Sequence, residues 1–405
     1  GASIVGDGFD GTYVNENSFV GEDAGIDLRS NSVMFDTRLV KNETGGYDIV
    51  AQMKTFSDVL GVSDLLSGYL DANHDMQLGS PIFAALNASS SLQILGAHII
   101  EQFGLDLIPN FAKQNLDVLK SVNTKANNTL FDAPVRSDGS RIMAGYDFYN
   151  RDSNNLGVFT GYEDQAHSLF LVGDRAYDET FRYGMGVSLS YLESKYNNRA
   201  TRNEVMVQLF APLTTQFDDT LQLVTTPRIG MGMGNYHRYA HGVEFKADTK
   251  NYYYGVSNEL RKAFDVGFAV LEPTVEFNVL GVYQDRMKER GGVDVKSSNN
   301  VSVETGIGLY ARRAFALSED DTLKFRVGGG YYRELNNSFQ ASQASMAGMA
   351  GRFHMNSYDL EKNRGVISAS ASWQHKMMNF YLQVSQFIES VSATQVDAGV
   401  RYEFR

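Results

Sequence analysis

From Ser140 to the end of the chain, apolar and polar residues alternate with a period of two. Phe181, Tyr183, Met185, Val187, Leu189 and Tyr191 share one face, and Arg182, Gly184, Gly186, Ser188 and Ser190 share the other. Leu221, Leu223, Ile229, Met231 and Met233 oppose Gln222, Arg228, Gly230, Gly232 and Gly234. Val301, Val303, Ile307, Leu309 and Ala311 oppose Ser302, Glu304, Gly306, Gly308 and Arg312. The last such run sets Val396, Ala398, Val400, Tyr402 and Phe404 against Gln395, Asp397, Gly399, Arg401 and Glu403. Successive side chains of a strand point to opposite sides, so this pattern predicts strands with two unlike faces. A soluble sandwich would give the same period with its apolar faces turned inward. Length and polar-face composition separate the two. The runs extend ten residues or more, whereas soluble strands average about five or six. Their polar faces are rich in Gly and charge, as a narrow wet lumen requires, and tilted strands of about ten residues cross a hydrocarbon layer of about 25 Å. The expectation is an all-β membrane protein, a transmembrane β-barrel with lipid outside.

Strands are expected near 141–150, 156–175, 181–191, 203–214, 220–234, 251–262, 268–283, 301–315, 322–332, 365–374, 379–388 and 395–404. That makes twelve, the even number that bacterial single-chain barrels carry. Connections 177–180, 215–219, 263–267, 316–321 and 375–378 are short, while 235–250, 284–300 and 333–364 are long. Such barrels have short periplasmic turns and long extracellular loops. The segment 156–175 is long for one strand, and Asp164 to Ala166 could be a turn. Splitting there gives an odd count and turns the long loops toward the periplasm, so it is kept whole.

The first 130 residues differ. Ser32 to Val40 and Tyr47 to Lys54 read as strands, separated by turn signals at Asn42 and Gly45-Gly46. Leu60 to Gln102 reads as helical, with Leu65, Leu66, Tyr69 and Leu70 on one face. Between Pro109 and Asn128, Ala112, Leu116, Leu119, Val122 and Ala126 recur at helical spacing beside Lys113, Gln114, Asp117, Lys120 and Lys125. Pro109 suits a first helical turn. A helix of that length spans about 30 Å, roughly one bilayer core.

Composition agrees. A chain of 405 residues suggests two domains. No run of 18 apolar residues occurs, so no transmembrane helix is expected. The absence of cysteine rules out disulfides and thiolate metal sites and suits passage through an oxidising periplasm. Twenty-two Tyr and 25 Phe against a single Trp supply interfacial girdles, and 38 Gly with only 6 Pro suit long ladders. A net charge of −12 argues against nucleic acid or anionic lipid as a partner. No signal peptide is visible, and Gly1-Ala2-Ser3 reads as a processed or artificially made start.

An amphipathic helix directly ahead of a twelve-stranded barrel resembles the translocator unit of type Va autotransporters. The resemblance covers about 105 to 405 and rests on layout and two local motifs. One is the closing strand Gln395-Val-Asp-Ala-Gly-Val-Arg-Tyr-Glu-Phe404, similar to the signal that the outer-membrane assembly machinery reads in that family, with Val400, Tyr402 and Phe404 as the residues read. Arg405 departs from the pattern, since it follows the aromatic that would normally be last. The other is Gly145-Tyr-Asp147, similar to a Gly-x-Asp of the family's first strand. The resemblance implies three parts. Residues 1–105 would be the C-terminal part of a passenger, a β-helix end or autochaperone-like piece of short mixed α/β character. Residues 106–139 would be a linker whose α-helix sits in the lumen. Residues 140–405 would be the antiparallel barrel. It further implies a Gram-negative outer membrane, a passenger displayed at the cell surface, a monomer, and outer-membrane lipid, the barrel assembly machinery and periplasmic chaperones as partners.

No constellation argues for an enzyme, a cofactor or a metal. Asp71-Ala-Asn-His-Asp75 imitates half a calcium loop, but Met76 stands where Gly is needed and no Glu closes it, so a capped helix end is expected. Gly230-Met-Gly-Met-Gly234 lies on a strand and is no phosphate loop. The seven His lack metal-ligand spacing, and His237 and His241 are expected in a surface loop. Alternation points Arg182, Arg228, Glu259, Arg261, Glu276, Glu304, Arg312, Lys324, Arg326, Arg401 and Glu403 into the lumen or its mouths. These charges either pair among themselves or seat the helix through Lys113, Asp117, Lys120 and Lys125, since buried charges need partners in both cases. Asn127-Asn128 is a self-cleavage candidate by the resemblance, through attack of an Asn side-chain amide on its own carbonyl, with Glu276 or Glu304 assisting. The flanking Thr129-Leu130-Phe131 does not match, and a helix C-terminal cap is the stronger reading of Asn, which tolerates a left-handed backbone. The competing class is a porin or adhesin barrel with a soluble N-terminal domain, its binding surface on the loop 339–355. A phospholipase barrel would need a lipid-facing Ser/His pair, and none is found.

Overall fold

Alternation carries directly into the computed structural model, which describes residues 12–19, 30–61, 65–74, 81–131, 139–155, 159–197, 199–355, 360–389 and 392–404. The N-terminal part comprises β1 (Thr12–Phe19), β2 (Phe35–Lys41), β3 (Tyr47–Met53), α1 (Phe56–Leu60), α2 (Leu65–His74), α3 (Pro81–Asn87) and α4 (Leu92–Phe103), followed by α5 (Asn110–Phe131). The strand-rich part comprises β4 (Ser140–Ser153), β5 (Tyr162–Ala176), β6 (Phe181–Tyr196), β7 (Ala200–Phe210), β8 (Leu213–Gln216), β9 (Leu221–Ala240) and β10 (Val243–Lys262). It continues through β11 (Phe264–Asp265), β12 (Val270–Gln284), β13 (Met287–Lys288), β14 (Val293–Val295), β15 (Ser298–Ala316), β16 (Asp321–Glu334) and β17 (Gln343–Met346). β18 (Phe353–His354), β19 (Asn363–His375), β20 (Met378–Ile388) and β21 (Ala393–Phe404) complete it.

Every neighbouring pair in the large sheet is antiparallel, and β21 closes on β4 from Phe404↔Ser140 to Ala393↔Arg151. The result is a closed twelve-stranded barrel. β7 and β8 both pair with β6 and β9 and count as one strand, interrupted at Pro212, which cannot donate to the ladder. Inside and outside are inverted relative to a soluble protein. Met185 is 73% exposed and Ile229 63%, while Arg182 is 1% exposed and Arg202 and Arg238 are fully buried. Five glycines of the wall are covered by the aromatic ring directly across the ladder: Gly145 by Phe170, Gly186 by Phe210, Gly281 by Tyr254, Gly306 by Tyr332 and Gly328 by Tyr310. Each ring fills the space a side chain would take on the glycine, which locks register through shape.

The short-turn end carries an Asx motif twice. Asp178 accepts from the backbone and hydroxyl of Thr180 and from Phe181, and Asp218 does the same with Thr220 and Leu221. These donors hold both carboxyls below the usual carboxylate range. One expectation is corrected at the other end. Residues 235–250 form no loop, because β9 and β10 run twenty residues each to a two-residue turn at His241 (φ 47) and Gly242 (φ 78). Both turn residues are left-handed, the geometry that matches strand twist in a tight hairpin. His237 is therefore on a strand. Residues 164–166 form no turn, as expected, since Asp164 and Ala166 pair with Ser194 and Leu192 inside β5–β6. The connections after β12 and β16 do fold beyond the barrel, into a four-stranded sheet of order β13-β14-β17-β18.

Ahead of the barrel, β1-β3-β2 form an antiparallel sheet, so among the described residues the strands before 105 do not stack in parallel as a β-helix would. The local cause is the Asn42–Gly46 hairpin, where Gly45 has φ 84 and the Asn42 side chain accepts from Gly46 N–H at 2.9 Å. The expected helical run 60–102 is divided. Ser91 caps α4 by accepting from Ile94 N–H at 3.2 Å, and the left-handed Gly104 ends it. Asp71 accepts from Phe56 and Ser57 N–H at 2.5 and 3.2 Å, so the imitation calcium loop supplies a cap for α1. A Cβ on Gly186 would meet the Phe210 ring at 2.4 Å. Gly186→Val should therefore lower barrel stability by about 1–3 kcal/mol, read as an earlier loss of the folded band on unheated gels. An unchanged transition would show that the ring leaves without cost.

The occupied lumen as candidate functional site

Twenty-two residues without Gly or Pro form α5, about 33 Å long at 1.5 Å per residue. It is three residues longer than expected at its C-terminal end, and its helical backbone continues through Asn127 and Asn128 to Phe131. The cap reading of Asn127 is corrected accordingly; the side chains of Lys125, Asn127 and Asn128 lie outside the described residues. The upper half of the helix is buried on every side. Lys113, Gln114, Asn115, Asp117 and Ser121 are as enclosed as Ala112, Leu116 and Leu119. Only an enclosing wall of polar groups stabilises such a helix, and the wall is specific.

One face, at spacings of four and three, meets a charge cluster. Lys113 donates to Asp117 at 2.5 and 2.7 Å and lies 3.6 Å from Glu389. Arg151 bonds Asp117 and reaches Glu389 at 3.1 Å. Lys120 bonds Glu304 at 3.1 Å and lies 3.6 Å from Glu334, while Arg364 holds Glu304 at 2.5 Å. Four cations (Lys113, Lys120, Arg151, Arg364) thus face four carboxylates (Asp117, Glu304, Glu334, Glu389). The opposite face uses amides. Gln114 donates to Asp164 at 2.9 Å and accepts from Tyr196 at 2.7 Å and Arg202 at 3.3 Å. Asn115 accepts from Arg202 at 2.6 Å, and Glu204 collects Arg202, Tyr253, Asn115 and Asn251. Arg228 reaches the Leu119 carbonyl at 3.4 Å.

Alternation pointed eleven charges into the lumen or its mouths. Arg182, Arg228, Glu259, Arg261, Glu276, Glu304, Arg326 and Arg401 are buried within the barrel, and Arg312, Lys324 and Glu403 are partly so. Of these, Glu304 and Arg228 touch the described half of the helix. Others bond along the wall: Arg182 with Asp174 at 3.1 Å, Arg261 with Glu259 at 2.6 Å, Arg312 and Arg326 with Glu272 at 3.1 and 3.0 Å, and Arg401 with Glu403 at 3.3 Å. Glu276 accepts from Tyr332 at 2.6 Å. The residues that hold the helix most directly were not foreseen. Arg151, Arg202, Arg364 and Glu389 sit one residue beyond the expected strand limits, and Glu334 two beyond, so the alternation was stopped just short of the upper rim. Glu204 was within an expected strand and on the inward parity.

Seating continues above the rim. Arg238, fully buried, bonds Glu289 at 2.6 and 2.7 Å and donates to the carbonyls of Glu101 and Gln102 at 2.8 and 2.9 Å, closing the end of α4. Asp106 pairs with Arg199 at 3.0 Å. The Phe353 ring of the loop sheet packs against Tyr69 and Phe103, each at 5.2 Å, and Asn73 exchanges two hydrogen bonds with the Ala350 backbone. On the closing strand, Tyr402 and Phe404 point outward with rings 4.8 Å apart, and Val400 is half-buried beside them.

The profile of one protein family, described as Autotransporter beta-domain, matches residues 121–385, well over half of the chain. The chain belongs to that family. Its fold is similar to the translocator domain of the autotransporter NalP from Neisseria meningitidis, at 15% identity and a TM-score of 0.58, covering 72% of this chain and 98% of that one. It is also similar to the beta domain of the Bordetella autotransporter BrkA, at 17% identity and a TM-score of 0.50, covering 65% and 99%. A comparison with curated proteins finds no match. This autotransporter β-domain is an outer-membrane translocator of the type Va class, and the family's cargo is its own passenger. Removing one member of a buried pair strands the other, at a cost of about 3–5 kcal/mol. Asp117→Ala should loosen the helix by that order and produce intermittent opening in planar bilayers, while Asp117→Glu stays closed. Equal conductance of Asp117→Ala and the parent would show that this pair does not seat the helix.

Proposed function

We propose that this chain is a secretion translocator in its plugged state, with its passenger held outside the cell. The observation that carries the reading is the direction of α5. The helix enters from the end where the long connections gather, and the barrel begins at Ser140, next to Phe404, at the end with the short turns. Short turns face the periplasm in this class of barrel. Residues 1–105, read as the C-terminal part of the passenger, are therefore exterior, and residues 106–139 form the linker that threads the barrel 140–405. A diffusion porin needs an open bore, and α5 occupies this one. We read the barrel as a transport device and not as an enzyme, acting as a monomer. The helical backbone at Asn127-Asn128 favours a linker that stays uncut, and intact mass after expression in an outer membrane tests this: a product beginning at Asn128 would contradict it. Assembly would use the barrel assembly machinery and periplasmic chaperones, with Val400, Tyr402 and Phe404 on the outer face of β21 as the residues read.

Deleting residues 1–128 should raise planar-bilayer conductance above that of the intact chain, and unchanged conductance would place the helix outside the conducting path. Phe404→Asp puts a charge near the interface, a stability cost of about 1 kcal/mol or less. Insertion in cells should fall further than purified refolding does; equal losses in the two assays would remove the signal role.

A further inference from the structure

Above the barrel rim, the outer face of the β9–β10 hairpin carries an unusual charge distribution. His237 and Asn235 of β9 pair in register with Lys246 and Asp248 of β10, so all four point outward side by side. β12 stops short of this height, and the chain that follows it runs along the free edge of β10. Asp285 N–H donates to the Lys250 carbonyl and Arg290 N–H to the Lys246 carbonyl, each at 2.8 Å. This places the exposed Lys288 and Arg290 beside Lys246. Together these residues line an outward groove of about 440 Å³. Between Lys288 and Arg290, Glu289 turns inward to Arg238 and is neutralised there.

Height and charge point to one kind of occupant. Tyr252, Tyr254 and Tyr283 are exposed lower on the same wall, with the Tyr252 and Tyr283 rings 6.2 Å apart and the Lys250 ammonium 5.4 Å from the Tyr252 ring. Tyrosines of this kind mark the membrane interface. Six residues separate Tyr252 from Lys246, about 20 Å along the strand and about 15 Å above the interface after tilt. That is above the acyl chains and within reach of a large headgroup. The groove itself presents Lys246, Lys288 and Arg290 against the outward acid Asp248, while Glu244, Asp285 and Asp294 stand at its margins beside His237, Lys250 and Arg286, in a chain whose net charge is −12. Lys246 already bonds Glu244 at 2.8 Å and Lys288 stands across the ladder from Asp294, which Arg286 holds, whereas Arg290 forms no side-chain ion pair among the described residues.

We propose that this groove binds the anionic sugar headgroup of an outer-leaflet glycolipid, with Lys246, Lys288 and Arg290 contacting its phosphate or carboxylate groups. Clustered cations at a membrane surface recognise such headgroups by charge, and a groove adds shape. The site uses the outer wall and is independent of the plugged lumen, though it rests on the long-connection end facing the exterior.

The test uses the full chain in bilayers of a neutral phospholipid, alone or with a phosphorylated, core-bearing lipid A glycolipid, or with the same glycolipid after phosphatase treatment. The readout is the temperature at which the folded band is lost on gels. The phosphorylated glycolipid should raise that temperature, the dephosphorylated one should raise it less, and the triple variant Lys246→Gln, Lys288→Gln, Arg290→Gln should abolish the difference. Lys195→Gln, an exposed cation on β6, should retain it. The folded band in neutral phospholipid reports that each variant has assembled, so failure of the barrel is seen separately. An equal rise in the triple variant, an equal loss in Lys195→Gln, or reproduction of the rise by free inorganic phosphate would each overturn the proposal.

Discussion

A charge sealed inside a closed barrel must find its partner there, and the whole arrangement follows from that constraint. The inner wall carries Arg151, Arg202, Arg228, Arg364, Asp164, Glu204, Glu304, Glu334 and Glu389 in the zone reached by the upper half of α5. Empty, such a wall would fill with water. Occupied, it demands a segment that supplies matching groups at matching heights, because unpaired buried charge costs several kcal/mol. The helix does so with Lys113, Asp117 and Lys120 on one face and with Gln114 and Asn115 on another. Buried pairs of this kind gain little net stability over apolar packing, so they are better understood as devices of register. They set the height and the rotation of α5 within the barrel.

The same rule governs the mouth. Arg238 is buried with Glu289 and spends its remaining donors on the last carbonyls of α4, so the N-terminal helices meet the barrel at a defined angle. Two long strands and a sheet made from connections build the surface that receives them. The N-terminal part is thus continuous with the barrel in packing as well as in sequence: Phe353 and Met346 of the connections share a core with Tyr69, Leu70 and Phe103.

How much of this was legible in the sequence depended on the strength of the local pattern. Twelve strands came from the period of two because each must satisfy lipid on one side and a wet lumen on the other, leaving little freedom. The pattern faded where strands rise clear of the membrane. Asn235 to Lys250 reads as polar on its outer face, so the β9–β10 hairpin resembled a loop until Gly242 revealed its turn. The rim residues Arg151, Arg364 and Glu389 were missed for the same reason, since they stand just past the apolar positions that defined each strand. Before residue 105, the antiparallel sheet and the divided helices depend on caps and hairpins such as Asn42, Asp71 and Ser91. Those signals were visible singly but did not specify how the pieces pack. The partner of each lumenal charge was not readable at all, because pairing follows from the height and rotation of α5, which no one-dimensional pattern encodes.

The absence of cysteine from the chain allows the central claim to be measured directly. With Gln114→Cys and Asp164→Cys, the only two thiols sit where helix and wall now touch, the side chains meeting at 2.9 Å. A short bifunctional thiol reagent applied to outer membranes containing this variant should join residues 114 and 164 in nearly every molecule, producing one shifted band after boiling. Failure to join them, together with ready labelling of the wall thiol at position 164 by a bulky water-soluble reagent, would show an open lumen and contradict the account.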